Sequence, residues 1–101
     1  MYVNSISVLM DAEVRHANFV AMRQEAATFE SLSEETRDRH DRMHKAWRVM
    51  TGAECNDEGT YEDFVRHAKN YVEAYESYDK ARKVRIASQQ RLDKYRRDFQ
   101  N

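Results

Sequence analysis

The chain has 101 residues, of which 41% are hydrophobic and 35% charged, with two glycines, no proline and a net charge of -1. That length and composition suit a single domain of long helices with a thin core better than a disordered tail. The near-neutral balance gives no global attraction to nucleic acid or membrane, so any electrostatic role must come from local asymmetry.

Taken from the amino terminus, Met1 to Met10 carries no Lys or Arg and no long apolar run. Neither a signal peptide nor a spanning helix is predicted there, and the expected location is cytoplasmic, with no membrane partner. Ser5 and Ser7 are candidate N-caps for a first helix over about residues 6–51. Its apolar stripe, Phe19, Met22, Ala26, Phe29, Ser33, Thr36, His40, Met43, Trp47 and Met50, steps by alternating threes and fours, the pattern of a helix burying one seam. Ser31-Leu32-Ser33-Glu34 also reads as a capping box, and a break near residue 32 would give a three-helix bundle; the continuous helix is the expectation.

Gly52 and Gly59 bracket an acidic loop over about residues 52–59, with Gly52 suited to a C' position of positive φ. Thr60-Tyr61-Glu62-Asp63 resembles a capping box with Asp for Glu, opening a second helix over about residues 60–99. Its stripe runs through Tyr61, Phe64, Ala68, Tyr71, Tyr75 and Tyr78. Past Tyr78 one three-residue stammer carries it on through Ala81, Arg85, Ser88, Leu92, Tyr95 and Phe99, where weaker packing is expected.

The predicted fold is therefore all-α, an antiparallel hairpin of two long helices pairing into a larger bundle. Charge agrees with the antiparallel order. Residues 1–36 carry -4, 37–51 carry +3, 52–79 carry -6 and 80–101 carry +6, so folding about the loop lays opposite signs side by side. Equal spacing about the loop then pairs Trp47 with Phe64, Met43 with Ala68, Thr36 with Tyr75, Phe19 with Leu92 and Ala12 with Phe99. Apolar residues off this seam, among them Ile6, Leu9, Met10, Val65 and Val72, exceed what one partner helix covers.

No catalytic constellation emerges, and no enzyme or cofactor is expected. Cys55, the only cysteine, excludes an internal disulfide, and its acidic surroundings should raise a thiol pKa, opposite to what a nucleophile needs. Trp47, Phe64, Tyr71, Tyr75 and Tyr78 are the candidate protein-interface anchors, since aromatic rings bury large apolar bodies while hydroxyls reach the rim. A basic carboxy-terminal row, Lys80, Arg82, Lys83, Arg91, Lys94, Arg96 and Arg97, offers a nucleic-acid alternative, because spaced cations can track phosphates. A metal alternative uses His40, His44 and His67, which the pairing above sets on adjoining turns; the competing reading bonds His40 to Tyr71.

A hairpin of about this length with Trp47 before its bend, and with Tyr75 and Asp79 in Tyr-x-x-x-Asp spacing, is similar in layout to the small WXG-type secreted proteins. Arg48 and Val49 follow Trp47 where that family has x-Gly, and the Tyr/Asp pair lies inside the second helix, so the resemblance is architectural. The expected function is a non-enzymatic interaction module: a self-assembling dimer, an adaptor or a small inhibitor docking on a larger protein.

Overall fold

Apolar residues spaced by threes and fours fall on one side of a 3.6-residue helix. Two such helices form in the computed structural model, α1 at Tyr2–Glu54 and α2 at Tyr61–Gln100. The structure describes residues 2–54 and 59–100, and the side chains of residues 6–52 and 59–98. Over these residues it is an all-α helical hairpin without strands.

Several boundaries differ from expectation. α1 begins at Tyr2, ahead of Ser5 and Ser7, so both positions lie inside the helix and not at its start. At its other end α1 continues past Gly52 to Glu54, and no described glycine has positive φ. A C' glycine is needed only where the chain reverses; here the backbone ladder continues, and each added helical bond offsets the entropic cost of one glycine. The signal at Ser31-Leu32-Ser33-Glu34 does not interrupt α1.

The cap of α2 does form. Asp63 N donates to Thr60 Oγ1 at 3.1 Å and Phe64 N donates to Thr60 O at 3.1 Å. The Asp63 carboxylate in turn accepts from Thr60, from the side chain first and the backbone second, and these bonds hold its pKa below the ordinary value.

Packing falls into two compact units. One comprises Met1–Ser31 and Ile86–Asn101, the other Leu32–Arg85. The first buries Ser88 and Leu92, and joins its two helical segments by an ion pair from Arg91 Nε to Glu25 Oε1. The second buries Thr36 and Ala81. Thr36 Oγ1 donates to Leu32 O at 2.6 Å, which satisfies the hydroxyl within its own helix. Arg39 Nη1 donates to Ser77 O at 3.2 Å and to Ser77 Oγ at 3.3 Å, clamping α1 to α2.

The pairing of the helices is displaced from the predicted one. Trp47 packs on Tyr71 with ring centroids 5.3 Å apart, and not on Phe64; His40 meets Tyr78 edge-on at 5.2 Å, and not Tyr71. Each displacement is seven residues along α2. A slip of one heptad returns the same seam to the partner helix, so periodicity alone does not choose between the two pairings. The region past Tyr78 also differs from expectation, because it holds Ala81, Ser88 and Leu92, three of the four buried residues among those described. Small side chains there let each pair of segments close and exclude water, whereas the larger rings near Trp47 leave their edges wet.

Candidate interaction surface

The unit Leu32–Arg85 assembles the aromatic residues into two groups. Trp47, Tyr71 and Tyr75 form a chain of tilted rings, with Tyr71 and Tyr75 centroids 6.4 Å apart. Tyr78 belongs to the second group, against His40, whose ring stacks on His44 at 6.3 Å. Phe64 is half-buried and joins neither group through a described ring contact. Trp47 and Tyr75 remain 45% and 47% exposed, so the pair presents ring surface outward as well as across the seam.

Beside these rings α2 carries a second apolar stripe. Tyr61, Val65, Ala68, Val72 and Tyr75 step by four and three, and Val72 is half exposed while Tyr61 is almost fully so. Phe64, Val65, Ala68, Lys69, Val72 and Glu73 line a shallow groove of about 370 Å³ along this helix. A neighbouring hollow is lined by Tyr61, Glu62, Val65, Arg66 and Lys69. On α1 of the same unit, Ala46 and Val49 form a further hollow with His67 and Asn70 of α2.

The other unit exposes apolar residues of its own. Ile6, Leu9, Met10 and Val14 follow one another on α1 at helical spacing, each roughly three-fifths exposed. Arg23 covers one face of Phe19, its guanidinium 5.8 Å from the ring centre.

The basic residues of the nucleic-acid alternative are divided between the units, with Lys80, Arg82 and Lys83 in one and Arg91, Lys94, Arg96 and Arg97 in the other. Three are already engaged. Arg82 and Lys83 each lie 2.9 Å from Asp79, whose carboxyl they hold below its ordinary pKa, and Arg91 pairs with Glu25. Lys80, Lys94, Arg96 and Arg97 stand exposed.

The three histidines of the metal alternative do not converge. Among the described residues no group of three or more His, Cys, Asp or Glu is placed to hold a metal ion. The heptad displacement is the reason, since the third imidazole was expected opposite His44 in the pairing that does not form. Cys55 lies outside the described residues. Sequence reasoning missed the His40–Tyr78 contact, whose only signal is that the two residues occupy seam positions one heptad away from the expected match.

No helix among the described residues is long and apolar enough to cross a membrane. No protein-family model matches the chain, and no curated protein or solved structure shows significant similarity to it.

Proposed function

We propose that the chain is a non-enzymatic helical interaction module whose apolar faces are completed by another protein. The observation that carries this reading is the contrast, among the described residues, between four buried ones, two of them polar, and an exposed set that includes Leu9, Met10, Trp47, Val72 and Tyr75. Fully covering one such apolar side chain contributes about 1.5–3 kcal/mol. Ordering the backbone costs about 1–2 kcal/mol per residue, so the few fully buried side chains among the described residues leave the isolated hairpin marginal and give association a large share of the stabilisation. Scaffold, adaptor and inhibitor are forms this module can take, and a cytoplasmic setting suits a chain whose one cysteine can close no internal disulfide.

The test is solution mass by light scattering across a concentration series, with helicity followed through a thermal melt. A multiple of 12.1 kDa, or a melting temperature that climbs with concentration, is the expected result. A monomer at every concentration with a sharp, concentration-independent melt above about 60 °C would overturn the reading, because such a chain completes its own core.

A further inference from the structure

The α2 stripe has the form of a helix-packing surface. Val65, Ala68, Lys69 and Val72 stand at i, i+3, i+4 and i+7 around the groove described above, the four-residue hole that receives one side chain from a facing helix. Val72, itself half exposed, is of a size to fill such a hole. Alongside runs a row of six exposed charges, Glu62, Arg66, Lys69, Glu73, Glu76 and Lys80, again stepping by four and three. In chain order their signs are minus, plus, plus, minus, minus, plus. Read backwards the row is its own charge complement.

This pattern bears on the identity of the occupant. A parallel copy would leave the two rows on opposite flanks of the interface, where neither row meets the other. An antiparallel copy, turned about a two-fold axis crossing α2 level with Tyr71, sets Glu62 against Lys80, Arg66 against Glu76 and Lys69 against Glu73, each twice by symmetry. An axis one residue earlier, level with Asn70, brings Val72 onto Ala68 and Val65 onto Tyr75, so the axes that the apolar and charged rows select differ by one residue. The row spans about 27 Å at ~1.5 Å per residue, five turns of helix. We propose that the α2 face is a self-interface, and that its occupant is a second copy of this chain laid antiparallel across Tyr61 to Lys80. The inference rests on the interaction reading and adds to it the partner, the face and the direction.

Two full-length charge variants test it. R66E/K69E makes the row acidic except at Lys80, and E73K/E76K makes it basic except at Glu62. Each alone should raise the dimer dissociation constant roughly ten- to thirtyfold in low salt, four favourable contacts having become repulsive. An equimolar mixture should recover the dimer, because every changed residue then meets its opposite. Recovery on mixing also shows that the variants fold, and circular dichroism of each alone checks this independently. A wild-type dimer that both variants preserve would place the self-interface on another face, overturning this inference while leaving the interaction reading intact. A wild-type monomer with a marginal melt would overturn the second copy alone, and one with a sharp, concentration-independent melt would overturn both.

Discussion

Trp47 and Tyr71 pack ring against ring across the hairpin, centroids 5.3 Å apart and planes tilted by 57°, seven residues beyond the Phe64 that equal spacing about the loop selects. The contact fixes the pairing of α1 with α2 in the unit Leu32–Arg85. A double-mutant cycle measures it directly. Trp47→Ala with Tyr71→Ala should show a coupling of about 0.5–1.5 kcal/mol, the range of aromatic pairs beyond their area burial. Trp47→Ala with Phe64→Ala should be additive to within about 0.5 kcal/mol. Coupling to Phe64 in place of Tyr71 would restore the unshifted pairing.

Ser88 is fully buried, and its hydroxyl has no hydrogen-bond partner among the described residues. Removing an unmatched buried polar group while keeping the small volume should stabilise the protein. Ser88→Ala is therefore expected to gain about 1 kcal/mol, since the desolvation cost of the hydroxyl disappears and alanine is the better helix former. That corresponds to a melting temperature higher by about 4–8 °C. Ser88→Leu should instead lower stability by about 1–3 kcal/mol through overpacking. If the alanine variant melts lower than wild type, the hydroxyl is satisfied in solution.

Much of this fold was legible because period and caps are local. The stripe from Phe19 to Met50, the Thr60 cap and the continuation through Ala81, Ser88 and Leu92 all appear in the helices where their spacing puts them. The pairing was not legible, for a reason specific to heptads: a seven-residue slip conserves the identity of the seam and changes only which rung meets which. The histidine cluster depended on that rung-by-rung match, so it was lost with it. Trp47, Tyr71 and Tyr75, three of the candidate anchors, share one neighbourhood in the slipped pairing through ring contacts within the chain. Thr36 and Ser88 were visible as stripe members. That these small polar residues, and not the rings, are the buried ones follows from how closely helices approach at small side chains.

Acid should weaken the protein at two identified places. Asp63 is held below its ordinary pKa by the bonds from Thr60, and Asp79 by those from Lys83 and Arg82. In the unfolded chain both titrate near the usual aspartate value of about 3.9, so near pH 4 the folded state binds fewer protons than the unfolded. The stability they supply is complete above that pH and is lost as the pH falls through the lower folded values. Melting temperature recorded from pH 6 to pH 2 should decline below about pH 4, and Asp63→Asn with Asp79→Asn should flatten the decline. An unchanged slope in the double variant would assign the acid sensitivity to other carboxylates.

Gly52 lies in the last turns of α1, exposed, without positive φ, and with no heavy atom within 4 Å of the point where a Cβ would stand. Nothing about the folded conformation requires glycine there. Alanine would reduce the freedom of the unfolded chain without strain or clash, so Gly52→Ala should raise stability by about 0.4–1 kcal/mol. The sign of this effect discriminates between two descriptions of the hairpin. If Gly52 ended the helix in a left-handed conformation, the same substitution would cost about 1–2 kcal/mol through the clash of Cβ with the following carbonyl. Chemical denaturation of the single variant therefore reads out whether α1 passes through residue 52.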